Sequence, residues 1–267
     1  MKNLRFLVPV LFVLSCQKQT RQYLSPLHSV SKPALCLLDT AALRSNMETS
    51  KLPDAYGRRK PAPTPTPTPT PTPIPTGSGY SCIFLDFDGQ TVNSPYWNGG
   101  STLQCDPAGL SATQIAAVVS KVTAAYSRYN VTVTDNESVY LSANPYMRIR
   151  VIVTPTSSWW GGVSGITYSN SFTWGDETPS FVFSDRLFFV EGYIGEIASH
   201  EAGHSLGLNH QTDYDAYCQL ISSYRLGVIM GNSLYVPDGT WTYGTSLSCT
   251  TYQDDNQVLT NKLGLRY

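Results

Sequence analysis

The chain has 267 residues, with 18 Lys and Arg against 19 Asp and Glu, so its formal net charge is −1. This balance conceals two different regions: residues 1–76 hold 10 basic and 3 acidic side chains, whereas residues 77–267 hold 8 and 16. A hydrophobic content of 41% excludes a chain that is disordered throughout. The acidic region would repel phosphates, so we expect no nucleic-acid partner.

The amino terminus is typical of an exported chain. Two basic residues precede an apolar run, Phe6–Leu14, that is too short to span a bilayer as a helix of about 20 residues. We therefore predict a signal peptide at residues 1–15. The junction Val13-Leu14-Ser15-Cys16 resembles the lipobox of bacterial lipoproteins, which implies that a lipid on Cys16 tethers the chain to the outer membrane or cell surface. A plain signal peptide and a secreted product are the alternative.

Two segments separate this terminus from the acidic region. Residues 16–60 are polar and basic without a sustained helical or strand period, which predicts a flexible arm or a short pro-segment. Residues 61–76 alternate Pro and Thr, and proline at every second position favours an extended polyproline spacer. Residues 77–267 are long enough to form one domain with a buried core.

The patterns within residues 77–267 predict an α/β (α+β) domain. An apolar run at Ile83–Phe87 predicts a strand that ends at the Asp88-Gly89 turn. Ser111 and Gln114 form a capping box, followed by an apolar face that predicts a helix to about residue 129. Further strands are predicted at residues 131–134, 148–153 and 180–183.

Four cysteines lie in this domain, and their spacing does not match a zinc ribbon. In an exported protein they predict two disulfides. We favour Cys82 with Cys105 and Cys218 with Cys249, because each pair closes a modest local loop, although four cysteines allow three pairings.

Three of the four histidines lie within eleven residues of each other. On a helix, His200 and His204 project from the same face one turn apart, so both imidazoles can reach one metal ion. Gly207 can adopt positive φ and turn the chain so that His210 approaches the same ion. Three imidazoles leave a fourth tetrahedral position open, which is typical of a catalytic zinc site.

The stretch from His200 to His210 matches H-E-x-x-H-x-x-G-x-x-H without a mismatch, and it resembles the active-site signature of metzincin zinc endopeptidases. This resemblance implies a small twisted sheet, two main helices and an irregular C-terminal subdomain after the third histidine. It also implies that Met230 forms the methionine turn beneath the zinc and that Gly162–Tyr168 is the edge strand that binds substrate. Gln211 differs from the residues that mark familiar subgroups, so no subfamily is assigned.

The same resemblance implies a peptide or protein substrate and hydrolysis in which Glu201 is the general base. Tyr235 could stabilise the reaction oxyanion or could simply pack in the wall of the site. Trp159 and Trp160 could line the substrate cleft, but packing within the domain is favoured. We expect a monomer.

Several alternatives stay open on the sequence alone. A surface binding module could keep zinc as a structural element, and a zinc amidase could act on cell-wall peptides. Cys36 could bind zinc and keep the chain latent, although its neighbours lack the matrix metalloprotease switch motif. Calcium could bind at Asp86 with Asp88 or at Asp254 with Asp255, but hydrogen-bonded or solvated carboxylates are favoured.

Overall fold

A computed structural model describes residues 79–234 and 238–267, together with the backbone of residues 35–39. Several predicted features lie outside the described residues: the signal peptide, Cys16, the Pro-Thr linker and Tyr235. Within the described part, no helix combines the length and apolar character needed to cross a bilayer.

The described residues contain twelve strands and four α-helices. The strands are β1 (Leu35–Asp39), β2 (Cys82–Asp86), β3 (Gln90–Val92), β4 (Leu103–Cys105), β5 (Thr132–Thr134), β6 (Arg148–Thr154), β7 (Val163–Tyr168), β8 (Ser180–Phe183), β9 (Asp213–Tyr214), β10 (Leu220–Ser222), β11 (Tyr243–Ser246) and β12 (Ser248–Asp254). The helices are α1 (Ala112–Ala125), α2 (Glu137–Ser142), α3 (Glu191–Ser205) and α4 (Asp255–Leu263).

The main sheet has the strand order β1-β7-β8-β6-β2-β5. Strands β8, β6, β2 and β5 are parallel, whereas β7 is antiparallel to β8. The domain therefore contains a five-stranded, mostly parallel sheet, which confirms the predicted mixed α/β class. Strand β1 extends this sheet by pairing antiparallel with β7, so β7, the predicted edge strand, lies between β1 and β8.

Helix α1 begins as the sequence predicts. Both hydrogen bonds of the capping box are present between Ser111 and Gln114. The regular helix ends at Ala125, earlier than predicted, but Tyr126 and Tyr129 remain buried as part of the same apolar face. This face packs with α3 against the sheet in one large apolar cluster, and α3 is thereby fixed across the strands.

The opposite face of the sheet carries an aromatic cluster centred on Trp97, which is fully buried. Trp159 and Trp160 make edge contacts with the Trp97 ring, at centroid distances of 5.9 and 5.8 Å. These contacts support the favoured interpretation, in which both tryptophans pack within the domain.

Cys218 and Cys249 form a disulfide, as predicted. The prediction of a second disulfide is wrong, because Cys82 and Cys105 are free buried thiols. Cys82 begins β2, whereas Cys105 lies near Asp86 at the other end of that strand. Four residues of extended chain span about 13 Å, which is beyond the Cα–Cα separation that a disulfide bridges.

One strand falls within residues 16–60. The sequence lacks a sustained strand period there, yet Leu35–Asp39 forms strand β1. Its register places Leu35 opposite Tyr168 and Asp39 opposite Val163. The pairing partner lies more than one hundred residues away, so the strand depends on a long-range contact that local periodicity does not show.

The chain after α3 is less regular. Strands β9 and β10 form one two-stranded ribbon, and β11 and β12 form another. The Cys218–Cys249 disulfide crosslinks these two ribbons.

Candidate metal centre

Helix α3 carries the first two histidines, and both side chains are buried. The helix ends at Ser205, and Gly207 follows with φ of +101°. A side chain at position 207 would be strained, and its Cβ would lie 2.5 Å from Asn170 Oδ1. The predicted role of this glycine is therefore met, since the chain turns here and brings His210 back towards the helix.

The three imidazoles converge through their Nε2 atoms. His210 Nε2 lies 3.0 Å from His204 Nε2 and 3.1 Å from His200 Nε2. Nitrogens that bind one zinc ion at tetrahedral angles are about 3.3 Å apart. The distances between the three Nε2 atoms are therefore close to those of nitrogens that bind one shared metal ion.

Backbone carbonyls hold two of the rings in a defined orientation. His200 Nδ1 lies 2.5 Å from the carbonyl oxygen of Ile229, and His204 Nδ1 lies 2.7 Å from that of Leu208. A nitrogen facing a carbonyl carries the proton, so the Nε2 atoms of both neutral rings present lone pairs. These lone pairs point at the same small volume, which is the arrangement found when backbone oxygens orient metal-binding histidines.

The segment around Met230 contacts α3 and the residue that follows His210. Met230 is fully buried, and a Cβ on Gly203 would lie 2.7 Å from its sulfur atom. The carbonyl oxygen of Met230 accepts a hydrogen bond from the Gln211 amide at 2.6 Å. Met230 therefore packs against α3 at Gly203, and its carbonyl oxygen holds the residue that follows His210.

The third histidine is positioned by polar contacts from the C-terminal region. Gln253 binds both backbone groups of Asn209, through a donated and an accepted bond of 2.9 Å each. The Tyr224 ring makes an edge contact with His210 at a centroid distance of 5.0 Å. The sequence analysis missed Tyr224 and Gln253 as site residues, because neither belongs to a motif with fixed spacing.

Glu201 is fully buried beside this centre, and neither of its carboxylate oxygens makes a hydrogen bond within the described protein. A buried polar group without a partner costs about 1–3 kcal/mol, and more when it is charged. Such a group is retained at functional sites where a ligand or a reacting molecule completes it. Both carboxylate oxygens of Glu201 are therefore able to accept a hydrogen bond from a ligand.

Strand β7 passes directly over this carboxylate. A Cβ added to Gly165 would lie 2.6 Å from Glu201 Oε1, so only glycine permits this approach. Thr167, two residues along the strand, is close enough for its hydroxyl to favour the charged form of Glu201. The predicted substrate strand and the predicted general base are thus in contact.

The electrostatics of the centre follow from burial. Burial raises the pKa of Glu201 from 4.5 to about 8, with the nearby Thr167 hydroxyl acting in the opposite direction. Burial lowers the pKa of His200 to about 4, and burial together with neighbouring imidazoles lowers the pKa values of His204 and His210 well below 6.5. All three imidazoles are therefore neutral at pH 7, which is the form that binds metal ions.

Three of the four acidic residues considered for calcium are engaged in protein contacts. Asp86 forms a buried ion pair with Arg150, and Asp254 accepts a hydrogen bond from the Gln257 amide at the start of α4. Asp255 is buried and accepts a hydrogen bond from the Thr242 amide. Within the described residues, only the three histidines form a group of three or more potential ligands within 4.8 Å of one another.

No protein-family model and no curated protein matches this chain. Inferences about its function therefore depend on the geometry of the site.

Proposed function

We propose that this chain is a zinc-dependent endopeptidase of the metzincin type, exported and tethered to the cell envelope through Cys16. His200, His204 and His210 would hold the zinc ion. Bound zinc supplies Lewis acidity, which polarises a peptide carbonyl and makes water more acidic. The observation that carries the proposal is the combination of three convergent imidazole nitrogens with an unpartnered, buried Glu201 beside them.

Glu201 acts as the general base of the reaction. It accepts a proton from the attacking water and returns that proton to the amine that leaves. Because Glu201 is buried, its carboxyl group can hold the proton away from bulk water between these two events. A structural zinc site would not require a buried carboxylate with two unpartnered oxygens, so this residue favours catalysis over a structural role.

Strand β7 orients the substrate. An extended peptide binds by hydrogen bonding to the backbone of a sheet edge, and alternate side chains then face opposite sides. Gly165 lies on the Glu201 carboxylate, so a peptide paired with β7 passes next to the general base. The proposed substrate class is therefore a peptide segment that can adopt an extended conformation.

The decisive experiment replaces Glu201 with Gln in the full chain. We expect Glu201→Gln to keep one equivalent of zinc by elemental analysis and to lower kcat on a peptide library by about 10²–10⁴-fold, the range for loss of a general base. Glu191→Gln is the matched control, since it lies on the same helix about 15 Å away. Unchanged cleavage by Glu201→Gln would overturn the proposal.

A further inference from the structure

The outer edge of β7 is not free, because strand β1 pairs with it. The register is antiparallel and runs from Leu35 opposite Tyr168 to Asp39 opposite Val163, with an irregularity between Leu37 and Asp39. The pairing therefore covers both ends of β7. Any other extended peptide that uses this edge must first displace β1.

The position of β1 relative to the metal centre follows from the same register. Leu37 is opposite Ile166, the neighbour of Gly165, and a Cβ on Gly165 would lie 2.6 Å from Glu201 Oε1. The backbone of β1 thus runs beside the part of β7 that lies over the general base. This is the place that the proposed function assigns to a substrate peptide.

The chain connection makes the pairing reversible in principle. Residues 40–78 separate β1 from the rest of the domain, and this connection includes the Pro-Thr segment predicted from the sequence. A covalent connection of this length raises the local concentration of β1 at the edge. Cleavage anywhere within residues 40–78 would turn β1 into a separate strand that can dissociate.

We propose that Leu35–Asp39 is a built-in competitive inhibitor that occupies the substrate edge of β7 in the same molecule. This inference rests on the proposed function, because it requires that substrate binds at β7. It relies on backbone pairing and does not require a bond from the Cys36 thiol to the metal. A competitor of this kind raises KM and leaves kcat unchanged, because only the free edge binds substrate.

The test uses the full chain and three variants. Leu37→Pro removes a backbone donor from the middle of β1 and disfavours the strand, Leu43→Pro places the same residue outside it, and Cys36→Ser changes the thiol without changing the backbone. We expect Leu37→Pro to lower KM about tenfold if β1 occupies the edge nine-tenths of the time. Leu43→Pro and Cys36→Ser should keep the KM and kcat of the parent chain.

Hydrogen exchange gives a second measurement that does not depend on catalysis. Each variant is prepared in the Glu201→Gln background to prevent self-cleavage, and exchange is followed in the peptide that contains Val163–Tyr168. Leu37→Pro should speed exchange there about tenfold, and protection should be independent of protein concentration. Faster exchange without cleavage by any chain would contradict the proposed function while supporting the pairing.

Three results would overturn the inference. The first is unchanged exchange in β7 and unchanged KM in Leu37→Pro. The second is a fall in KM with Cys36→Ser as large as that with Leu37→Pro, since inhibition would then act through the thiol. The third is protection that rises with protein concentration, which would place β1 of one molecule on β7 of another.

Discussion

Strands β2, β6 and β8 lie side by side and are buried along almost their whole length, whereas β9 to β12 form two separate ribbons whose residues are mostly half-buried or exposed. Apolar packing between the sheet, α1 and α3 holds the first region together. In the second region a disulfide and hydrogen bonds such as those of Gln253 contribute much of the order. The three histidines belong to both regions, since two lie on α3 and the third follows Gly207.

This difference suggests a division of labour. The first region supplies rigid positions for the proposed general base and the proposed substrate strand, because burial of apolar surface fixes α3 against the strands. The second region carries His210, the third proposed ligand, and has fewer apolar contacts of its own. Its stability should therefore depend more strongly on the metal and on the disulfide.

Metal removal should have the largest effect and should act unequally on the two regions. A chelator is expected to abolish cleavage, and added zinc to restore it. Binding of zinc contributes roughly 10 kcal/mol in small domains that fold around it, so hydrogen exchange should accelerate strongly in residues 207–231. Exchange in β2 and β6 serves as the internal control and should change little. Equal acceleration in both regions would contradict the comparison.

The disulfide should rank second. The bond joins positions 31 residues apart, and closing a loop of that size stabilises a fold by about 3–4 kcal/mol. We expect the double variant Cys218→Ser/Cys249→Ser to lose about this much free energy of unfolding, measured by denaturant titration with zinc present. Cys82→Ala/Cys105→Ala is the matched control and keeps the disulfide. A reductant should therefore lower the free energy of unfolding of this control but not that of Cys218→Ser/Cys249→Ser.

A substitution in the first region should affect chemistry more than stability. Gly165→Ala places a Cβ 2.6 Å from Glu201 Oε1, so the carboxylate or the strand must shift. A displacement of about 1 Å costs roughly a hundredfold in rate, and we expect a fall of that size in kcat with zinc retained. Gly192→Ala is the control, because its Cβ would meet no atom within 4 Å. A normal kcat for Gly165→Ala would show that β7 does not constrain the general base.

The sequence predicts the convergence of the three histidines because that geometry is local. The spacing of His200 and His204 depends on one helical turn, and the place of His210 depends on a single turn at Gly207. The contact between Gly165 and Glu201 joins a strand to a helix that follows more than twenty residues later, so no spacing rule reveals it. The position of β1 depends on an even longer contact.

The cysteines show the same limit. Closeness in sequence favoured both predicted disulfides equally, and the prediction is confirmed for Cys218 with Cys249. It failed for Cys82 with Cys105 because a regular strand holds the two residues at opposite ends. A short loop does not ensure a short distance when one of its ends is part of a rigid sheet.

The reactivity of the two free thiols can be used to measure how often the strands open. Burial raises the pKa of Cys82 and of Cys105 to about 12, so both thiols stay protonated at pH 7. An alkylating reagent or a glutathione disulfide can therefore react with them only when the strands separate. The rate of labelling at Cys82 counts the openings of β2. The persistence of both thiols would thus measure how rarely this fold opens during its working life.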